Sequence, residues 1–542
     1  MRGPMPSPEP ELRSTVPAAS AAQVAGEPSR GGSLTLAYQT APGSLDPAAA
    51  WELTEVAVIH AIYQGLFRYA AASGPAGTQL EPCLATELPT AANGGLADDG
   101  LTITIRLRAD VHFQPPLSRL VTADDFKYSF ERMMNPRATP LAPATDFYLG
   151  VVGAQRFRDG HAAGIEGYEV VDPHTLRIRL ERPDPSFLTA LALDFSAVVA
   201  REWVEKSATA FSVTPLGTGP FVFGHLIPGR EVLLRRNPSY WEPGRPYLDE
   251  LKYEFGWAPA TALRLLEDGA VDVLGNGLPP EELAAARDDP RWRGCVHRAP
   301  LVAGHYLFLN VEMPPLGDAR IRQAICWAID RDKLVGIQAG DAVALYQIYP
   351  PGLPGHEPDR KYCGYDPVRA RDLLKEAGRE SGFDLRMYTD SVDPSPKLGE
   401  SIAADLAAVG IKATVSVMAN ASFSTLQATP RSLAAGLYGW WMDFPDPANW
   451  ITPLFTRGSS MNSSYWSSAV LDGMIVEAQS AIDPEVRLAK YREMQAHVMT
   501  EAPYVPLSAP IRTTLCSPRV GGFFLHPVYE VDPASLWRRT SD

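Results

Sequence analysis

Between Phe383 and Val417 the sequence spells out a strand, a helix and a second strand in one short run. Phe383, Leu385 and Met387 alternate, Leu398, Ile402 and Leu406 recur at helical spacing, and Gly410 stops the helix. Ile411, Ala413, Val415 and Val417 then alternate again. Two strands joined through one helix pair in parallel by a crossover, so this stretch commits its part of the chain to an α/β layer.

The punctuation elsewhere agrees. Ser33 to Tyr38 reads as a strand, and Thr54 to Phe67 as a helix with Val58, Ile59, Ile62 and Leu66 on its apolar stripe. Leu101, Ile103, Ile105 and Leu107 alternate as a half-buried strand does, and Thr122 with Asp125 forms a capping box before the Phe126/Phe130 helix face. Asp318 to Asp330, with Ile321, Ala324, Ile325, Ala328 and Ile329 on one side, and the Asp366-Pro367 start of a helix ending at Gly378, both read as scaffold. At 542 residues the chain has room for two or three domains of roughly 100 to 200 residues each, and hence for a cleft between them.

Several function classes are disfavoured. A formal charge of −14 and a pI near 5.3 supply no basic field for a phosphate backbone, so nucleic acid is not expected as a partner. Cys83, Cys295, Cys326, Cys363 and Cys516 lie far apart, without zinc-ligand spacing, and no metal or cofactor is expected. An odd count leaves at least one thiol free, and Cys326 reads as a small buried hydrophobe within its helix. The cysteines do not fix a redox compartment. Residues 1–30 are rich in Pro, Ala, Ser and Glu and read as a disordered tail without a signal-peptide apolar core, and no later run approaches ~18 apolar residues.

H-E-x-x-H, G-x-x-x-x-G-K-[ST] and G-x-S-x-G are all absent. Gly217-Thr218-Gly219 resembles half a dinucleotide fingerprint, but Pro220 and a strand at Phe221 to Phe223 follow where a helix is required. His356-Glu357 precedes Pro358, which suits a surface loop and not a zinc helix. Asp443 and Asp446, in Trp440-Trp-Met-Asp-Phe-Pro-Asp-Pro447, leave three readings open: turn capping, ligand binding, and paired-acid catalysis of the glycosidase kind.

Taken in order, these segments resemble the large solute-binding proteins of ATP-binding cassette importers, solute-binding protein family 5, the class with dipeptide-, oligopeptide- and nickel-binding members. The resemblance runs from about Ser33 to the C-terminus. It rests on Ser44-Leu45-Asp46-Pro47, Thr122-Ala123-Asp124-Asp125, Asp172-Pro-His-Thr175-Leu, and Gly217 to Phe221 leading to Arg236-Asn237-Pro-Ser-Tyr240-Trp241. Asn310, Asp318-Ala-Arg320-Ile-Arg322-Gln-Ala, Asp330-Arg331 and Asp443 to Pro447 complete it. His112-Phe113-Gln114-Pro115-Pro116 departs from it, standing where the family has an Asp-Gly turn.

The resemblance implies an α/β, two-lobed, periplasmic-binding-protein-like clamp of type II, the large class with an inserted subdomain. The implied segments are a first part of lobe I at 31–66, the inserted subdomain at 67–205, a second part of lobe I at 206–278, lobe II at 279–508 and a return to lobe I at 509–542. It implies a monomer that is not an enzyme, binds a peptide in the cleft and delivers it to a membrane permease. Asp443 would accept the peptide α-amino group beside Trp440, Asp446 would be structural, and Tyr38 and Trp441 would line the cleft. A periplasmic or cell-surface location is expected, although the sequence shows neither a signal nor a lipid-modified cysteine near its start. A wrongly assigned start, a processed chain and a cytoplasmic sensor each account for that. The rival functions are the same fold with a non-peptide nutrient, the sensor, and a carboxylate-based hydrolase.

Overall fold

The computed structural model describes residues 27–137, 142–278, 282, 283, 285, 286, 289–427, 429 and 432–539. The tail expected at 1–30 lies outside the described residues as far as 26. From there the chain is anchored: the Ser29 hydroxyl donates to the Arg538 carbonyl, and the Gly31 N–H to the Tyr247 carbonyl at 2.9 Å.

Lobe I is a five-stranded sheet in the order Val273–Leu274, Ser33–Ala37, Glu250–Glu254, Glu231–Arg236, Phe221–Ile227. Ser33–Ala37 is parallel to both neighbours and buries Leu34 and Leu36. The helix over this sheet is Leu53–Ile62, shorter than the periodicity predicts. Its end is set by distant chain. The Ile62 carbonyl accepts from the Gly219 N–H at 2.8 Å and from the Gln114 side-chain amide at 3.3 Å. Leu66 is still buried, but outside the helix, and Phe67 opens the strand Phe67–Tyr69.

That crossing also accounts for the glycines that resemble a nucleotide fingerprint. A Cβ on Gly217 would stand 2.2 Å from the Ile62 oxygen, and one on Gly219 would stand 2.6 Å from its carbonyl carbon, so only glycine fits at either position. Gln114, in the departing His112 to Pro116 segment, is fully buried here. It donates to the Gly219 and Phe221 carbonyls at 3.1 and 2.7 Å and accepts from Gly217 N–H at 3.2 Å. The His112 to Pro116 segment thus builds a buried polar staple.

A second core forms around the antiparallel sheet Thr102–Arg106, Thr175–Arg179, Tyr168–Asp172 and the helix Ala123–Met133. The predicted capping box is present, with the Asp125 carboxylate accepting the Thr122 N–H at 2.9 Å, and Phe126 and Phe130 are buried. An ion pair from Arg132 to Asp46 ties the Ser44 to Pro47 loop of lobe I onto this helix.

Lobe II contains the predicted βαβ unit as Phe383–Asp390, Ser395–Ala407 and Ile411–Met418, its strands parallel with Phe383 opposite Ile411. Ala435–Trp441 extends the sheet, parallel to Phe383–Asp390 and antiparallel to Ala303–Leu309. Helices Ala319–Ala328 and Pro367–Glu376 start at Asp318 and Asp366, whose carboxylates accept the first free N–H groups as expected. Cys326 is more than a buried hydrophobe: it is disulfide-bonded to Cys363, 37 residues away. Cys83, Cys295 and Cys516 are free and buried.

The strand Tyr504–Leu515 joins the lobes. It pairs with Ala303–Leu309 inside lobe II and with Val296–Pro300 further along, and Cys516 then bridges to Val273 of the lobe I sheet. Twelve extended residues reach roughly 40 Å, enough to run from one core to the other.

Candidate functional site

The end of the Ala435–Trp441 strand carries Trp440 and Trp441, and the segment after it carries Asp443 and Asp446. Asp443 and Asp446 differ in every respect that matters to chemistry. Asp446 is buried, accepts the Ala448 N–H at 2.8 Å and accepts from both terminal guanidinium nitrogens of Arg487 at 2.7 Å. Its capacity is used, which fits the structural role expected for it. It is not available as the second acid of a hydrolase.

Asp443 is half-buried. Its N–H donates to Asn449 Oδ1 at 2.9 Å, and its Oδ2 accepts from Asn449 Nδ2 at 2.8 Å. No Lys, Arg or His among the described residues forms an ion pair with it. Burial pushes the Asp443 carboxyl above its ordinary range, and the Asn449 amide offsets part of that shift. A desolvated carboxylate with one neutral donor gains most from a cation that arrives from outside.

Two tryptophans precede it. Trp440 is half-buried against the lobe II core, and its indole N–H finds no acceptor among the described residues. Trp441 turns the other way, 54% exposed and edge-on to His305 at 5.6 Å. Gly439 makes this possible, since a Cβ there would stand 2.7 Å from the Trp441 ring and 2.9 Å from His305. Burial lowers the pKa of His305, which keeps its imidazole neutral near pH 7.

Tyr38 stands apart from this group. It is 2% exposed in lobe I, over Tyr253 at 6.1 Å, with the backbone of Gly275 pressed against its ring. Its surface goes to the lobe I core, and the structure does not bring it together with Trp440 and Asp443.

Sequence reasoning missed three partners. Asn449 orients Asp443, Arg487 saturates Asp446 from 41 residues away, and Phe444 is only 9% exposed because it enters the second core, edge-on to Phe147 at 5.5 Å. The Asp-Pro-Ala-Asn run could have flagged Asn449 as a helix-start side chain. Nothing local could have flagged Arg487.

The profile of the bacterial extracellular solute-binding proteins, family 5 (middle region), matches residues 79–462, which includes the Trp440 to Asn449 segment. The chain belongs to family 5. Among relatives of this family 5 protein, Di/tripeptide-binding protein 2 of Pseudomonas aeruginosa (strain UCBPP-PA14) is 30% identical over 522 residues, 91% of this chain and 93% of the relative. Heme-binding protein A of Haemophilus influenzae (strain ATCC 51907 / DSM 11121 / KW20 / Rd) is 28% identical, covering 94% of this chain and 92% of the relative. The solved structure of the ABC transporter-associated periplasmic binding protein DppA from Helicobacter pylori, in complex with peptide STSA, superposes with a TM-score of 0.73. It is 25% identical, over 94% of this family 5 chain and 99% of that one. The two-lobed α/β architecture is thus that of the periplasmic binding proteins.

Proposed function

We propose that this family 5 protein captures peptides between its lobes and presents them to the permease of an ABC importer, with Asp443 as acceptor of the peptide α-ammonium. The observation that carries this reading is the state of Asp443: half-buried, oriented by Asn449 and without an ion-pair partner among the described residues. An ammonium entering that space forms a charge-assisted hydrogen bond and relieves the desolvated charge in the same step. The names of the similar proteins, di/tripeptide-binding in one case and peptide-bound in another, support the ligand class. Trp440 and Trp441 flank the bound end.

In this reading lobe I comprises 31–66, 206–278 and 509–542, the inserted subdomain 67–205 and lobe II 279–508, and the protein acts as a monomer that binds without catalysing. It works outside the cytoplasm. The Cys326–Cys363 bond supports that location, because disulfides persist in oxidising compartments, as does the periplasmic description of related binding proteins.

The test is titration calorimetry of the purified protein with a tripeptide carrying a free amino terminus and with its N-acetylated form. The free peptide binds at least a hundredfold more tightly if an ammonium is the anchor. Equal affinity for the two forms overturns the amino-group role and leaves a non-peptide ligand as the better reading.

A further inference from the structure

Trp51 is a large apolar side chain left 43% exposed, and its environment is built to hold it there. It precedes the helix Leu53–Ile62, and the buried carboxylate of Glu55, in the first turn of that helix, gathers four backbone N–H groups of the loop. These are Gly43 at 2.9 Å, Ser44 at 3.0 Å, Trp51 at 2.7 Å and Glu52 at 3.0 Å. A loop pinned at four amides cannot swing its tryptophan inward. The indole is instead stacked on Phe195 at 5.3 Å and on Phe147 at 6.4 Å, both of them half-buried rings of the second core. A single exposed aromatic needs no explanation, but three in contact, on a fixed backbone, form a rigid apolar surface with unspent area.

Its position is as informative as its rigidity. Trp51 is the middle ring of the three, and Phe147 on one side of it meets Phe444 edge-on at 5.5 Å, Phe444 being the residue directly after Asp443. The aromatic group of the second core therefore reaches, through the buried ring of Phe444, the segment that carries the amino-group acceptor. A peptide that runs from Asp443 toward Phe147 advances about 3.3 Å per extended residue and brings one of its first few side chains to these rings.

We infer that Trp51, Phe147 and Phe195 form an apolar subsite of the ligand cleft that receives an aromatic or large aliphatic side chain of the bound peptide. The inference rests on the peptide-binding reading above and adds selectivity to it. Stacked and edge-on ring contacts favour aromatic guests beyond what area burial alone gives. Trp51 is the ring with the most free surface, and it contributes most of the discrimination.

The experiment compares Ala-Ala-Ala with Phe-Ala-Ala, Ala-Phe-Ala and Ala-Ala-Phe by calorimetry, for wild type, Trp51→Ala and Trp51→Phe, with the N-acetylated form of the best binder alongside. Wild type should favour at least one phenylalanine peptide over Ala-Ala-Ala by tenfold or more. Trp51→Ala should bring that ratio to within threefold of one, Trp51→Phe should keep most of it, and the ratio of free to N-acetylated affinity should stay as in wild type. Four peptides bound within threefold of each other by wild type overturn the subsite, as does a Trp51→Ala protein that retains the full preference or weakens all four equally. The two readings fail separately. Loss of the aromatic preference in Trp51→Ala, without any wild-type preference for free amino termini, upholds the subsite and removes the Asp443 role; no binding of any of these peptides removes both.

Discussion

Asn449 holds Asp443 at two points, accepting its backbone N–H through Oδ1 and donating to its carboxylate through Nδ2. One side chain thereby fixes both the backbone and the rotamer of the proposed ligand acceptor. The carboxylate is set before the ligand arrives, so little rotamer entropy remains to be lost on binding.

Replacing Asp443 with Asn keeps the shape and the contact to Asn449 but removes the charge. Peptide affinity should fall by roughly two to three decades, the scale of about 3 to 5 kcal/mol for leaving a buried charge without its partner. The unliganded fold should not suffer, because the lost carboxylate was desolvated with no ion-pair partner among the described residues. Calorimetry gives the first quantity and thermal unfolding the second. A variant that binds like wild type, or that melts well below it, contradicts this account.

The raised pKa of Asp443 sets a pH dependence. A proton and an ammonium compete for the same carboxylate, so affinity is constant above the raised pKa and falls as pH drops through it, by up to about tenfold per unit. The fall begins at higher pH than an ordinary aspartate would give. For the unliganded protein the sign is opposite: the folded state holds this proton more tightly than the unfolded chain does, so this group's contribution to stability grows on acidification and is lost as pH rises through the folded pKa. Binding isotherms between about pH 7 and 4 should bend for wild type and stay flat for Asp443→Asn.

Arg487→Ala strands a buried carboxylate at Asp446, and about 3 to 5 kcal/mol of stability should be lost. Arg487→Met combined with Asp446→Asn should recover most of it, since the amide still caps Ala448 and no charge is left unpaired. Denaturant unfolding of the single and double variants measures both. A single variant within about 1 kcal/mol of wild type would show that Asp446 finds another partner.

The thiols can be counted. The native protein should show no rapid reaction with a thiol reagent, three groups should react once it is denatured, and five after reduction. Closing a span of 37 residues restricts the unfolded chain by roughly 4 kcal/mol in the loop-entropy picture, so reduction should lower the denaturation midpoint. Five reactive thiols without reductant would rule the bond out.

Much of the fold was legible because local signals agreed with it. The βαβ unit, the Thr122/Asp125 box and the Asp318 and Asp366 caps each need only a few consecutive residues, and all formed as read. The errors came where distant chain intervened. The helix at Leu53 stops early because the Ile62 carbonyl is claimed from Gly219 and Gln114, and Cys326 pairs with a residue that no spacing rule connects to it. In the site, the contrast between Asp443 and Asp446 was invisible in sequence, where both are aspartates beside proline or phenylalanine. Arg487 creates the difference, and it lies on a separate helix, Pro484–Glu501.

The lobe I sheet places Ser33–Ala37 against Glu250–Glu254 and Val273–Leu274, and Arg538 reaches back to the Ser33 carbonyl at 3.1 Å. During synthesis the first strand therefore waits for partners more than two hundred residues away and for a clasp 505 residues further along the chain. Lobe II, with its core confined to residues 302–507, faces no such delay. Pairings of long sequence separation form slowly, so the order of folding should run against the order of synthesis, with lobe II first and the N-terminal strand late. Pulsed hydrogen exchange during refolding should find the amides of Phe383–Asp390 protected before those of Ser33–Ala37.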